Sequence, residues 1–216
     1  MDLRDAIRTT GSVREFTDQP VDADDVVAIL DDARFAPSGG NRQPWRVAVV
    51  TDPAIRRQLA GLMQPIWDEY VVATRAGQVP FNAVDYQRVY SAPHIPNPLL
   101  DRIESIPVML AVAADLRRIV AADADLGRAT VVPGASIYPF CWNVLLAARS
   151  RGLGGVLTTF LSRAEPSANP LLRLPDGYAL AATIFLGHPV HQPTKLRRND
   201  VATFASVDTF DGPPLG

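Results

Sequence analysis

Three polar clusters in the sequence carry side chains that could do chemistry, and each adjoins the predicted end of a helix or strand. The first is TTGSVREF, in which Ser12 and Arg14 stand two residues apart just after a helix. A hydroxyl and a guanidinium at this spacing can reach one phosphate together, and arginine can bind it bidentately. Taken alone, the pattern is explained better by an ordinary helix end with a solvated arginine.

The second cluster is APSGGNRQPW, which contains Ser38, Asn41 and Gln43. Side-chain amides offer hydrogen-bond donors and acceptors together, which suits a planar heterocycle or the hydroxyls of a ribityl chain better than an anion. A loop whose polar side chains bond only to one another explains this cluster equally well.

The third cluster is TKLRR, near the end of the chain, with Lys195, Arg197 and Arg198. On its own it is explained better as a solvated basic tail. Together, however, the three clusters describe a ligand that is phosphorylated, polyhydroxylated and planar.

The elements that must position these clusters follow from the hydrophobic patterns. Five helices are predicted. The second begins after a cap at Asp22 and ends just before Pro37, and the third begins at Pro53. The others are predicted at 3–9, 135–150 and 162–174. Strands are predicted at 46–51, 107–115, 154–160 and 178–187. Long crossovers are too few for a regular doubly wound fold, so we predict an α+β domain with a mixed sheet wrapped by helices.

Length and composition bound the class of protein. The 216 residues suit one domain, and a hydrophobic share of 47% can build a sizeable core. Twenty-one Lys+Arg against 23 Asp+Glu argue against a nucleic-acid partner. The N-terminus lacks the apolar core of a signal peptide, and the longest apolar runs are too short to span a bilayer. We therefore expect a cytoplasmic protein with no membrane contact.

Two ready-made kinds of site are excluded. The stretch GLGGVL at 152–157 lacks GxGxxG spacing and follows a helix, so it is not a dinucleotide fingerprint. His188 and His191 have no third ligand nearby, and Cys141 is the only cysteine. No metal site is therefore expected.

Residues 64–105 mix aromatic residues with turn formers and show no repeat or second apolar core. We interpret them as a surface excursion, either a lid or a dimer arm. A mobile linker is the weaker interpretation, because large aromatic side chains need a surface to pack on. These aromatic residues are Trp67, Tyr70, Phe81, Tyr86 and Tyr90.

Four stretches make the sequence similar to a known family. SVREF, APSGGNRQPW, SRGLGGVLTT and TKLRR occur in the order and approximate spacing of the nitroreductase family of FMN-dependent NAD(P)H oxidoreductases. The resemblance covers essentially the whole chain and is weakest over 64–105. It implies a largely antiparallel central sheet and an intertwined homodimer, in which the tail after residue 199 would add a strand to the partner's sheet edge.

The resemblance also implies residue roles around FMN. Ser12 and Arg14 would hold the phosphate and ribityl chain, and Lys195 with Arg197 or Arg198 would close on the phosphate. The family arginine expected at positions 10–11 is missing, and Arg8 is the candidate to replace it. The flavin contacts, some of them from the second subunit, would come from Pro37, Ser38, Asn41 and Gln43. The strand whose backbone runs along the ring and donates to N5 would contain Gly155, Leu157, Thr158 and Thr159.

The implied activity is electron transfer from NADH or NADPH through FMN to an electron-poor acceptor, such as a nitroaromatic or a quinone. Because the flavin carries the chemistry, no catalytic side chain is expected. Ene reduction, dehalogenation or flavin destruction on the same fold are alternatives. A flavin-sequestering protein without turnover is another.

Overall fold

The computed structural model describes residues 1–84 and 92–216, and its centre is one four-stranded sheet. The strands are β1 (Trp45–Val49), β2 (Val108–Asp115), β3 (Gly154–Thr158) and β4 (Tyr178–Gly187). They pair antiparallel in the order β1-β2-β4-β3. The predicted α+β class is confirmed. The predicted largely antiparallel sheet is also confirmed: the four strands of the described chain pair antiparallel, and one isolated bridge, between Ser12 and Gly155, is parallel.

Helices cover both faces of the sheet. They are α1 (Leu3–Thr9), α2 (Ala23–Ala33), α3 (Pro53–Arg75), α4 (Pro98–Asp101), α5 (Tyr138–Ser150), α6 (Phe160–Arg163) and α7 (Glu165–Leu172). Short 3-10 turns occur at Gly39–Asn41, Leu116–Arg118, Val132–Ser136 and Val201–Thr203. No helix in the described part of the chain is long and apolar enough to serve as a transmembrane span.

Two hydrophobic cores result from this layering. On one face, Ile29 of α2 and Val144 of α5 pack in the same cluster as Ile184 of β4. On the other, Leu59 of α3 packs in the same cluster as Phe185. Ile184 and Phe185 are consecutive, so the alternation of a strand sends their side chains to opposite cores.

α3 is longer than the sequence pattern indicates. The Asp52 carboxylate caps its start by accepting a hydrogen bond from the Ala54 N–H at 2.7 Å. The helix then continues to Arg75, through the first part of the segment 64–105. Buried positions in this part are filled by Asp68 and Glu69, and these charged residues obscure the apolar period.

The chain that returns from this segment is tied to α3 by polar side chains. The Asp68 carboxylate accepts from the Ile95 N–H at 2.8 Å, and the Trp67 indole donates to the Ile95 carbonyl at 3.1 Å. Trp67 and Tyr70 also contact the Phe160 ring edge-on, which gives two of the aromatic residues their packing surface. Tyr86 and Tyr90 lie outside the described residues, and a role as lid or dimer arm stays a prediction.

Arg56 joins the end of β1 to the segment before β2. Its guanidinium is buried and donates to the carbonyls of Val50 at 2.8 Å, Ile106 at 2.6 Å and Glu104 at 3.2 Å. Burial lowers the Arg56 pKa, yet an arginine stays charged at neutral pH. Backbone carbonyls therefore replace the water that this cation has lost.

We predict that Arg56→Leu lowers the free energy of unfolding by about 3 kcal/mol or more, because it leaves buried carbonyls without donors. Arg57→Leu is the matched control, since Arg57 only forms an exposed ion pair with Glu104. The control should cost less than about 1 kcal/mol. Urea unfolding measures both, and equal losses would contradict this role for Arg56.

Candidate functional site

The first cluster lies against β3. The Val13 N–H donates to the Gly155 carbonyl at 2.9 Å, beside the Ser12–Gly155 bridge. A Cβ on Gly154 would stand 2.6 Å from the Val13 side chain, and one on Gly155 would stand 2.5 Å from Leu186. Gly154 and Gly155 are therefore needed for close packing, which brings Ser12 to the edge of the sheet.

The chain around the third cluster, TKLRR, packs against the segment that contains the first cluster. A Cβ on Gly11 would stand 2.9 Å from both Pro193 and Leu196, and the Gln192 side chain donates to the Thr9 carbonyl at 3.3 Å. Folding thus gathers residues 9–13, β3 and residues 192–196 at one place.

A cationic cavity of about 510 Å³ opens beside this junction, and neither Ser12 nor a residue of β3 lines it. It is lined by Ile7, Arg8, Thr194, Lys195, Leu196 and Arg198. Over the described residues, none of its three cations has a carboxylate within ion-pair distance. Arg197 does not line the cavity, and its carbonyl accepts from Arg198 at 2.6 Å. The cavity has the charge that a phosphate dianion requires.

Arg14 lies elsewhere. It lines a separate cavity of about 120 Å³ together with Arg102 and Ser105. The structure therefore does not place Arg14 with Arg8, Lys195 and Arg198, although all four were assigned to the phosphate or its neighbourhood. Sequence reasoning missed Arg102, because it stands in a stretch without a recognisable motif.

The loop at 37–43 has an unusual backbone. Gly40, Asn41 and Gln43 have φ angles of 60°, 52° and 47°, in the left-handed region. Residues other than glycine pay about 1–3 kcal/mol for such conformations unless their surroundings enforce them. The Ser38 hydroxyl accepts from the Gln43 N–H at 2.9 Å, and the Gln43 side chain donates to Asn41 Oδ1 at 3.2 Å. Part of the predicted binding capacity therefore shapes the loop itself.

Ser136 anchors this loop. The Gly39 N–H donates to the Ser136 hydroxyl at 3.1 Å. In the described part of the chain, this is the only hydrogen bond that joins residues 37–43 to a distant element. Ser136 is buried at the end of a 3-10 turn, just before α5. The sequence pattern assigned it to the start of an apolar helix and gave it no role.

The loop at 37–43 and the cationic cavity lie at diagonally opposite corners of the sheet. The loop leads into Trp45, which pairs with Ala114, whereas Gly155 pairs with Leu186, opposite Val108. These rows are six residues apart along β2, about 20 Å. β1 and β3 are also three strand spacings apart, about 14 Å. Within one chain, the second cluster is thus kept apart from the others.

At the end of β3, backbone groups rather than side chains are available to a ligand. Leu157 packs on the hydrophobic core. The Thr158 hydroxyl is buried and has no hydrogen-bond partner among the described residues, while Thr159 is exposed where α6 begins. β3 is an edge strand, so alternate backbone groups point away from the sheet.

The described residues support neither thiolate chemistry nor metal binding. Cys141 is buried in α5, and burial raises the pKa of its thiol to about 12, so it remains protonated at neutral pH. Residues 1–84 and 92–216 contain no group of three or more His, Cys, Asp or Glu side chains that could hold a metal ion.

The chain matches the model described as Nitroreductase family over residues 7–188, and it belongs to that family. It is accordingly an oxidoreductase. A nitrobenzene nitroreductase from Ectopseudomonas oleovorans is 29% identical over 212 residues, covering 86% of each chain. A 5,6-dimethylbenzimidazole synthase from Rhodospirillum rubrum is 31% identical over 182 residues, covering 82% of this chain and 77% of the synthase.

The fold is also that of solved structures. Iodotyrosine deiodinase bound to FMN and 3-iodo-L-tyrosine superposes with a TM-score of 0.68 at 20% identity. The match covers 97% of this chain and 100% of the deiodinase chain. At this identity the similarity establishes the shared fold.

We predict that Ser136→Ala speeds amide hydrogen exchange at residues 39–43, because the loop loses its distant anchor. Ser150→Ala is the matched control, since the Ser150 hydroxyl bonds only to the Ala147 carbonyl in the same helix. Hydrogen exchange followed by mass spectrometry compares both with the unsubstituted protein. Unchanged exchange of the loop in Ser136→Ala would rule out the anchor.

Proposed function

We propose that this chain binds FMN and transfers electrons from NADH or NADPH to an electron-poor acceptor, such as a nitroaromatic or a quinone. The observation that carries the proposal is the junction of the Ser12 segment, the open edge of β3 and the cationic cavity. Ser12 with Lys195 and Arg198 matches what the phosphorylated, polyhydroxylated part of FMN requires.

The residues present fit FMN at both of its ends. Arg8, Lys195 and Arg198 supply three cations without carboxylate partners for the phosphate. Arg8 thereby takes the place of the missing family arginine, and Arg198 rather than Arg197 contacts the phosphate. The outer edge of β3, at Leu157 and Thr159, offers backbone N–H groups to the ring, because alternate residues from Gly155 onward face away from β4.

FMN, when bound, supplies the hydride-accepting chemistry. A positioned cation beside the pyrimidine side of the ring would stabilise the reduced flavin. We assign this task to Arg14 and Arg102, which share a cavity separate from the phosphate cavity. Arg102 also stands 3.3 Å from Asp18 in an exposed ion pair, which leaves part of its guanidinium for a ligand.

The enzyme is proposed to work as a homodimer. Residues 37–43 cannot reach the cationic cavity of their own chain across the sheet, but they could reach that of a second copy. Two further features support this arrangement: among the described residues β1 pairs with β2 alone, so that its outer edge is open, and Phe204 and Phe210 in the tail are exposed.

Donor and acceptor would use one cleft in turn, in a ping-pong cycle, because the sequence has no separate dinucleotide fingerprint. Relatives of this chain are named for nitro reduction, benzimidazole synthesis and deiodination. The acceptor is therefore assigned only as a class. Family membership favours an enzyme over a flavin-sequestering protein, and a cytoplasmic location stays a prediction.

We predict that the purified protein is yellow and releases FMN rather than FAD. Arg198→Ala should weaken FMN binding by about 1.5–3 kcal/mol, roughly 10- to 150-fold in Kd, because a charged hydrogen bond to phosphate is lost. Arg197→Ala is the matched control and should change Kd less than about threefold. Flavin fluorescence titration measures all three. Protein that stays colourless after incubation with FMN would refute the cofactor assignment.

A second test addresses the role of β3 in flavin reduction. Thr159→Ala should retain FMN and its reduction by NADH or NADPH, because the backbone donors remain. Thr159→Pro should slow reduction strongly, because the N–H of residue 159 faces away from β4 and proline deletes it. Stopped-flow absorbance measures the rate, and circular dichroism checks folding. Loss of reduction in a well-folded Thr159→Ala protein would show that a side chain performs the step.

A further inference from the structure

An apolar groove of about 890 Å³ opens where the first turns of α5 meet the chain that leads into them. Among the described residues that line it, none carries a charge, and Leu116, Ile119, Val131 and Trp142 are typical of its lining. Small-molecule sites measure about 300–1,000 Å³ and are mostly apolar. The groove therefore has the size and the lining of a site for an uncharged organic molecule larger than a single ring.

One wall of the groove is a loop that a buried carboxylate organises. The Asp123 side chain is buried and accepts hydrogen bonds from the Val131 N–H at 2.9 Å and from the Arg128 guanidinium at 2.8 Å. Val131 lines the groove, whereas neither Asp123 nor Arg128 does. The wall is thus held in place by charges that stay outside the groove.

The groove adjoins the loop at 37–43. Ser136, whose two neighbours in the chain line the groove, accepts a hydrogen bond from the Gly39 N–H at 3.1 Å. A Cβ on Gly39 would also stand 3.9 Å from the side chain of Val120, next to Ile119 of the groove. Because this loop is proposed to reach the flavin of a second copy, the groove would open beside that flavin.

The groove offers an aromatic surface and hydroxyl groups to a ligand. Tyr138 and Trp142 line it and are both exposed. The Tyr138 hydroxyl donates to the Ala181 carbonyl at 3.4 Å, which is longer than the usual O–H···O distance of about 2.5–3.0 Å. This hydroxyl, and that of Thr130 in the same lining, can therefore serve an uncharged oxygen of a ligand.

We propose that this groove selects the electron acceptor by receiving the apolar substituent of a neutral aromatic or quinoid molecule, whose ring stands over the flavin of the second copy. The inference rests on the proposed function and narrows its acceptor class. A substituent that ends in a carboxylate or phosphate is disfavoured, because the described lining holds no cation to pair with a buried charge.

The first experiment compares three benzoquinones that share one ring and carry a methyl group, a decyl chain or a decyl chain ending in a carboxylate. Reduction of each by NADH consumes a proton as well and gives the hydroquinone and NAD⁺. In the FMN-loaded protein the decyl chain should raise kcat/KM about tenfold or more over the methyl group, chiefly through a lower KM. The terminal carboxylate should cancel most of this gain. Equal kcat/KM for the methyl and decyl quinones overturns the proposal.

The second experiment places a charge in the groove. Val131 is 69% exposed, and Val131→Lys keeps the backbone N–H that Asp123 accepts. It should lower kcat/KM for the decyl quinone about tenfold and raise it for the carboxylate-ended quinone by a similar factor. Val27→Lys is the matched control, because Val27 is 65% exposed and does not line the groove. An unchanged acceptor preference in Val131→Lys overturns the proposal.

Binding can also be followed without turnover, in the absence of NADH and NADPH. Quinones quench indole fluorescence on contact, so Trp142→Phe should remove most of the quenching by the decyl quinone. Trp67→Phe is the control and should retain it, since Trp67 packs on Phe160 and bonds to the Ile95 carbonyl instead. Equal quenching in the two variants overturns the proposal.

These outcomes can be told apart from failure of the proposed function. A protein that reduces none of the three quinones refutes the proposed function, and the fluorescence measurement then tests the groove by itself. A protein that reduces the methyl quinone but gains nothing from the decyl chain refutes only the groove. Loss of the dimer in sedimentation of Val131→Lys, with acceptor preference unchanged, would show that a second copy covers the groove and would overturn the proposal.

Discussion

The backbone contact between Val13 and Gly155 is the constraint on which the candidate site depends. It is possible only because Gly154 and Gly155 lack side chains that would collide with Val13 and Leu186. With this contact in place, the end of α1 lies between an edge strand and the basic segment at 192–198. A polar hydroxyl, free backbone groups and unpaired cations then occur together, which no single stretch of sequence provides.

A second constraint is the width of the sheet. β2 and β4 stand between β1 and β3, so the loop at 37–43 and the cationic cavity are held on opposite corners. The conformation of the loop and the width of the sheet both keep the loop away from the cationic cavity of its own chain. The loop keeps left-handed residues that are costly unless they are enforced, and it lies away from the cationic cavity of its own chain. This arrangement fits the proposed homodimer, in which two chains would share each site.

Prediction from the sequence worked best where one residue pattern had one physical cause. The strands at 107–115 and 178–187 were found because their burial leaves a run of apolar residues. The end of α3 was missed, since Asp68 and Glu69 fill buried positions and Asp68 is stabilised by a hydrogen bond from the distant Ile95 N–H. The largely antiparallel sheet was confirmed, but only the resemblance to the family predicted it, because strand direction depends on how the chain crosses over between strands rather than on strand composition.

The sequence by itself determined the family and the α+β fold class, and it predicted the kinds of residue that would meet a flavin, since these follow from residue pattern and side-chain chemistry. The need for glycine at 154–155 emerged only from packing against Val13 and Leu186. Only the tertiary structure separated Arg14 from Arg8 and Arg198, joined Arg14 to Arg102, and revealed Ser136 behind the loop. Such groupings join residues far apart in the chain. They are fixed by packing across the sheet, and packing leaves no short-range trace in the order of the amino acids.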